Sequence, residues 1–247
     1  MTLDIARLSE RDIAKTIDHS LLRPELTDQQ IEDGCRLAAQ YDVASVCCRP
    51  ADIARAAALL AGTDVKVGST VGFPHGNHLT AIKVAETRQA LADGATEIDM
   101  VLQIGALKSG RDAEVQADIA AVVDVAHAAG AIVKVIFENA YLTDDEKVRA
   151  CRLTEAAGGD FVKTSTGFAP SGATHDDLRL MRANTSPHIQ VKAAGGVRTL
   201  DALLAVMELG VTRIGATATE AIILDFRARK AGLATASAGN GAMEGGY

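Results

Sequence analysis

Residues 160–165, DFVKTS, place Lys163 inside a short apolar run of β character, and two similar runs flank it at equal distance. Upstream lies IVKVIFE (132–138) with Lys134; downstream lies IQVKAA (189–194) with Lys192, each lysine 29 residues from Lys163. The same kind of run recurs at AKTID (14–18), VASVCC (43–48), VKVGSTVG (65–72), TEIDMVL (96–102) and VTRIGA (211–216). Between the runs lie TDQQIEDGCRLAAQY (27–41), HLTAIKVAETRQALADG (78–94), DAEVQADIAAVVDVAHAAG (112–130) and DDEKVRACRLTEAAGG (144–159), whose apolar residues recur at three and four, the helix period. Thr27 and Thr143 precede acidic first turns as N-caps do, and the helical runs end on glycine in ADGA, AAGA, AAGG and ELGV, the usual C-terminal stop. Eight strands alternating with helices predict a single-domain α/β fold, a closed (β/α)8 TIM barrel. An open doubly wound sheet shows the same alternation, but the count of eight and the chain length favour closure. The expected barrel covers 1–233. Residues 234–247, ATASAGNGAMEGGY, read as a flexible Gly/Ala-rich tail ending in Tyr247.

Composition narrows the function classes. The chain has 247 residues, 48% of them hydrophobic, enough for a large core. Only 3% are aromatic and none is Trp, so Ala, Val, Ile and Leu must build that core. A net charge of −7 and the lack of a basic run argue against a nucleic-acid partner. Cys35, Cys47, Cys48 and Cys151 form no CxxC pair and are expected to be reduced thiols of a cytoplasmic protein. The charged start MTLDIARLSERD lacks the apolar stretch of a signal peptide, and no run reaches membrane-spanning length, so no membrane association is expected.

In a barrel of this kind the site lies at the C-terminal ends of the strands. Alternation puts Lys163 on the face of Phe161 and Ser165, and Lys192 on the face of Gln190 and Ala194. One lysine there is commonly a snorkelling stem with its charge in water. Three on neighbouring parallel strands, facing one interior, point instead to amine chemistry. A second ammonium nearby is expected to lower the Lys163 pKa toward the value a Schiff-base nucleophile needs. Asp99, in TEIDMVL, is the carboxylate available to hold such cations together. Glycines follow strands six, seven and eight in TSTGF, AAGGV and IGATAT. Backbone N–H groups freed there, next to helix N-termini, favour a phosphorylated small molecule. His75 and His78, in GFPHGNHLT, are the alternative of a metal site, but the segment is a Pro/Gly loop without ligand spacing. No metal and no organic cofactor is expected.

EIDMVLQIGALKSG, VIFENAYLTDDEK, FVKTSTGF and VKAAGGVRT together resemble the deoxyribose-phosphate aldolases, Schiff-base-forming aldolases with a (β/α)8 barrel. TIDHSLL, SVCCRP, VGFPHGNH and the terminal tyrosine fit the same family. The resemblance implies reversible cleavage of 2-deoxy-D-ribose 5-phosphate to D-glyceraldehyde 3-phosphate and acetaldehyde. It implies Lys163 as the Schiff-base lysine, Lys192 as the second lysine that tunes it, and Asp99 as the acid/base carboxylate. Asp18 and Cys47 fall near the substrate, Lys134 in the surrounding charge network, and Thr166, Gly167, Gly195, Gly196, Gly215, Ala216 and Thr217 at substrate and phosphate contacts. Tyr247 falls where some members bring a tyrosine into the site for proton transfer. Family members are often dimers or larger homo-oligomers. Two departures stand out: Phe168 occupies a position where some members carry a lysine, and Thr217-Ala218 replace a pair of serines. Backbone N–H contacts survive both changes, so the phosphate site is expected to remain, with a weaker hold. The competing readings are a Schiff-base aldolase for another phosphorylated sugar and a sugar-phosphate-binding barrel without turnover.

Overall fold

Ser9 sets the start of the first α-helix. Its hydroxyl accepts from the Asp12 N–H while the Asp12 carboxylate accepts from the Ser9 N–H, a reciprocal cap. The capped turn forms α1 (Glu10–Ala14), which takes up Ala14 and leaves Lys15 as its C-cap, so β1 is Ile17–Leu21. The sequence-based span 14–18 is corrected by that local cap, which β-type composition does not reveal. In the computed structural model, which describes residues 3–233, the chain continues through α2 (Asp28–Gln40), β2 (Ser45–Cys48), α3 (Ile53–Leu59), β3 (Lys66–Val71) and α4 (Thr80–Ala92). It goes on through β4 (Glu97–Val101), α5 (Ile104–Lys108), α6 (Asp112–Ala128), β5 (Ile132–Ile136) and α7 (Asp144–Ala156). β6 (Phe161–Lys163), α8 (His175–Ala183), β7 (Gln190–Ala194), α9 (Leu200–Glu208), β8 (Arg213–Ala216) and α10 (Thr219–Lys230) complete it. The tail at 234–247 and its Tyr247 lie outside the described residues.

Every strand pairs in parallel with the next, and β1 pairs with β8 through Ile17↔Ile214, Asp18↔Gly215 and His19↔Ala216, so the sheet is a closed barrel. Thr27 and Thr143 both form capping boxes, with Gln30 and Glu146 respectively. The glycines ending α4, α6, α7 and α9 take the left-handed conformation, for example Gly130 at φ 74°. α1 and α5 are additions to the eight helices the pattern implied.

The two faces of the strands differ in chemistry. Val46, Val67, Ile98, Met100, Val133, Val135, Val162, Val191 and Ile214 point outward and pack under the helices in one contiguous core. Each such side chain contributes about 1.5–3 kcal/mol when fully buried. The alternate residues point inward, and at Asp18, Ser45, Glu97, Asp99, Lys134, Lys163, Lys192 and Arg213 they are polar or charged. The barrel interior is therefore an ionic cluster wrapped in an apolar shell.

Two buried polar contacts tie the shell together. On α4, Lys83 donates to Asp118 of α6 at 2.5 Å and to the Val101 carbonyl at 2.8 Å, and Asp118 also accepts from the Thr80 hydroxyl at 2.8 Å. Both side chains of the pair are fully buried. Val101 ends β4, two residues past Asp99, so the pair braces the strand that carries the central carboxylate. His19 points outward from β1, with its Nδ1 2.8 Å from the Thr219 hydroxyl at the start of α10, and burial holds its pKa down to about 4.

Breaking the first contact by removing Lys83 leaves the buried Asp118 charge with the Thr80 hydroxyl but without its cation. Lys83→Met is expected to cost about 3–5 kcal/mol in urea denaturation, and Lys83→Met with Asp118→Leu to recover most of it. For His19, the unfolded chain takes up a proton near the ordinary value of about 6.5 while the folded chain resists until about pH 4. The stability contribution is thus complete above pH 6.5 and declines by up to about 3 kcal/mol as pH falls toward 4. His19→Gln is expected to flatten that slope; an unchanged slope would assign the acid sensitivity to other groups.

Candidate active site

Asp99, on β4, is fully buried at the centre of the barrel, and three ammonium groups converge on it. Lys134 donates to Oδ1 at 3.0 Å, and Lys163 and Lys192 each donate to Oδ2 at 2.7 Å. The strand register produces this. Asp99 lies opposite Lys134, and Lys163 opposite Lys192, so each pair projects inward at the same level of adjacent strands. Two ammonium groups on one oxygen lie within a few ångströms of each other.

A second tier sits toward the N-terminal side. Lys134 also contacts Glu97 and reaches Asp18 at 3.1 Å, and Lys192 contacts Asp18. Arg213 donates through Nε to Asp18 at 2.6 Å and through Nη2 to Glu97 at 2.7 Å and Ser45 Oγ at 3.2 Å. In their ordinary ionised forms Lys134, Lys163, Lys192 and Arg213 face Asp18, Glu97 and Asp99, one more cation than anion. Burial opposes charge throughout, but the partners outweigh it. Arg213, Lys134 and Lys192 hold Asp18 far below the usual carboxylate range, and the three lysines do the same for Asp99. Against the same burial, Asp18, Asp99 and Glu97 hold Lys134 well above an ordinary lysine.

The expected depression of the Lys163 pKa is corrected by this geometry. Burial does work to lower it, yet the Asp99 carboxylate in direct contact raises it above the ordinary lysine value. The expectation counted the neighbouring ammonium alone, whereas the shared oxygen lies between the two cations and screens one from the other. Cys47, buried on β2, is pushed up to about 11 by burial and the nearby Asp99 charge, so its thiol is a neutral wall of the site.

Two cavities open at the C-terminal ends of the strands. One, about 220 Å³, is lined by Gly195, Gly196, Gly215, Ala216 and Thr217, with Arg23, Val197 and Arg198. Gly195 takes φ 78°, and a methyl group there would meet Gly172 Cα at 2.8 Å, so only glycine suits the position. Ala218 occupies the N-cap position of α10 beside this cavity, and among the described residues no side chain caps that N-terminus. The other cavity, about 350 Å³, is lined by His75, Asn77, Glu138, Tyr141, Thr166 and Phe168 among others. Thr166 thus borders the second cavity rather than the glycine-lined one, and Gly167 occupies the turn after it at φ 94°. His78 lines neither cavity, and its buried Nδ1 has no hydrogen-bond partner among the described residues.

Several residues of the site escaped the sequence reading. Glu97 is two positions before Asp99, so strand alternation alone puts it on the same face. Arg213 is likewise two before Gly215. Glu138, in the left-handed region at φ 57°, accepts from the Thr166 N–H at 3.2 Å and from its hydroxyl, while Thr166 Oγ1 accepts from the Phe168 N–H at 3.0 Å. It fixes the loop after β6, and only the position of a carboxylate just past a strand hinted at it.

The shared carboxylate makes a direct prediction. Asp99→Asn leaves four cations facing two carboxylates, so the Lys163 pKa is expected to fall by at least about one unit, visible as roughly tenfold faster reductive methylation of Lys163 near pH 8. Equal labelling rates in the two proteins, read by peptide mass spectrometry, would show that Asp99 does not control that amine.

The chain matches the family model of the DeoC/LacD family aldolases over residues 12–239. A protein of Rhodopirellula baltica named deoxyribose-phosphate aldolase is 51% identical over 216 residues, 87% of this chain and 90% of that one. One of Alkaliphilus oremlandii with the same name is 51% identical over 221 residues, covering 90% and 99%. Among solved structures, the tetrameric deoxyribose phosphate aldolase of Aeropyrum pernix superposes with a TM-score of 0.83 at 29% identity, covering 92% of this chain and 98% of that one. With the match spanning most of its length, the chain belongs to the DeoC/LacD family of aldolases.

Proposed function

We propose that the chain cleaves 2-deoxy-D-ribose 5-phosphate reversibly to D-glyceraldehyde 3-phosphate and acetaldehyde through a Schiff base on Lys163. The observation that carries this reading is Asp99 Oδ2 held at 2.7 Å from both Lys163 and Lys192. A buried amine, a carboxylate able to accept its proton, and a second ammonium beside them are the parts that imine chemistry needs.

The steps follow from that arrangement. As the open-chain sugar presents its C1 aldehyde, Lys163 passes a proton to Asp99, and the nitrogen lone pair forms a bond to C1. The carbonyl oxygen takes up two protons, one from the attacking nitrogen and one returned by Asp99, and leaves as water, and an iminium remains. Removal of the C3 hydroxyl proton breaks the C2–C3 bond; its electron pair moves into the iminium, releasing glyceraldehyde 3-phosphate and leaving an enamine. Protonation of the enamine carbon and hydrolysis then free acetaldehyde and Lys163. Asp99 serves as acceptor and donor, and Lys192 keeps a positive charge next to each oxyanion that develops. Asp18 and Lys134 hold this set in register, and the neutral Cys47 thiol borders the small aldehyde end. The iminium is the electron sink, so the reaction calls for no metal and no organic cofactor.

The phosphate is assigned to the glycine-lined cavity of Gly195, Gly196, Gly215, Ala216 and Thr217, supported by its position at the ends of β7 and β8 and by the uncapped α10 N-terminus. Thr166 and Gly167 hold the substrate from the β6 side. We place the protein in the cytoplasm, where four buried free thiols persist. We also read it as a homo-oligomer, a reading supported by the tetrameric relative and by the exposed Leu79 and Ile82 at the start of α4. Tyr247 is assigned no role here, being outside the described residues.

Acetaldehyde with borohydride is expected to leave a reduced two-carbon adduct on Lys163, found by peptide mass spectrometry. Lys163→Met should abolish both adduct and turnover, and Asp99→Asn should lower kcat by about 10²–10⁴-fold. An adduct confined to surface lysines would remove Lys163 from the role.

A further inference from the structure

Phe168 stands where a family lysine was expected to supply a cation to the phosphate. The structure turns it elsewhere: its ring meets Phe73 edge-to-face at 5.5 Å and borders the cavity of His75 and Glu138, away from the glycine-lined one. The glycine-lined cavity nevertheless has a positive wall, because Arg23 and Arg198 both line it. Arg198 follows directly from the AAGGV turn. Arg23 comes from the opposite side of the barrel closure, in the loop between β1 and α2, and no spacing in the sequence links it to β7 or β8.

That loop is held by a neighbour rather than by its own side chains. Arg49 donates to the carbonyls of Arg23 at 3.3 Å, Pro24 at 2.9 Å and Leu26 at 3.1 Å, and its Nε is anchored on the buried Asp52 at 2.6 Å. The backbone under Arg23 is therefore fixed, while its guanidinium is held only loosely. Among the described residues it has one ion pair, Nε to Glu25 Oε1 at 3.6 Å, with both side chains more than half exposed. Such a surface pair is worth little and yields readily to a better anion. A planar guanidinium carried on a braced loop at the rim of a cavity lined by Gly195, Gly196 and Gly215 suits a phosphate dianion, which it can bind through two parallel hydrogen bonds.

We propose that Arg23 is the residue that makes this site prefer a phosphorylated sugar, closing over the phosphate from the β1–α2 loop in place of the cation missing at Phe168. This rests on the aldolase reading for its substrate but not for its anion. It assigns Arg23 to specificity alone, since the guanidinium belongs to the cavity rim and has no contact with the Lys163–Asp99–Lys192 cluster.

The test compares 2-deoxyribose 5-phosphate with 2-deoxyribose in the full chain and in Arg23→Ala and Arg23→Lys. For Arg23→Ala, KM for the phosphorylated sugar is expected to rise about 10- to 100-fold with kcat within about twofold, while kcat/KM for 2-deoxyribose stays unchanged. Arg23→Lys should fall between, keeping the charge but losing the fork. Calorimetric binding of inorganic phosphate should weaken in parallel in the Ala variant. An unchanged preference between the two sugars, or equal loss on both, overturns the role of Arg23. If the wild-type protein cleaves neither sugar, the aldolase reading fails by itself, and phosphate binding still decides Arg23: equal affinity in wild type and Arg23→Ala overturns it, and loss in the variant upholds it.

Discussion

The central constraint on this protein is one carboxylate shared by three amines. Asp99 binds Lys134 through one oxygen and Lys163 and Lys192 through the other, with all four side chains withdrawn from water. A buried charge without partners is very costly. The four strands that carry these side chains are therefore bound to one register, because a slip of one residue would turn a lysine or an aspartate into the apolar shell. Asp18, Glu97 and Arg213 extend the cluster to β1, β4 and β8 and so reach across the seam where the barrel closes. The charge network belongs to the fold as much as to the chemistry.

The same network sets the resting state of the lysine proposed as the nucleophile. Asp99 raises the resting pKa of Lys163, so the amine is stored protonated. In the proposed reaction Asp99, already in contact, is the group that takes the proton, and Lys192 on the same oxygen is the cation beside the charge that develops on the substrate. With Asp99 held far below the usual carboxylate range and Lys163 above the lysine range, this shift runs uphill in the resting cluster, and in the proposed reaction the arriving carbonyl draws it forward by consuming the free amine.

Much of this was legible in the sequence. Strand count, helix caps at Thr27 and Thr143, closure into a barrel, and the inward direction of Lys134, Lys163 and Lys192 all follow from periodicities of two and 3.6. Glu97 and Arg213 obey the same alternation, and their roles went unread because a single charge on a strand has many ordinary explanations. The start of β1 was misplaced because a capping box at Ser9 and Asp12 outweighed the β-type composition of Ala14–Asp18. Tuning of Lys163 was misjudged for a different reason: a pKa depends on distances to every nearby charge, and spacing along the chain supplies only some of them.

By itself, the sequence determined which residue types face inward and which outward, since alternation along a strand is a local property of the backbone. It thereby set the eight-fold alternation, the apolar shell and the presence of amines on three neighbouring strands. Tertiary structure alone decided which inward residues meet. The sharing of Asp99 Oδ2 by Lys163 and Lys192, the arrival of Arg23 beside glycines more than 170 residues away in sequence, and the diversion of Phe168 onto Phe73 all depend on barrel closure. Closure brings the first strand against the last, and contacts across that seam are set by sheet register and loop anchoring, neither of which leaves a periodic mark in the chain.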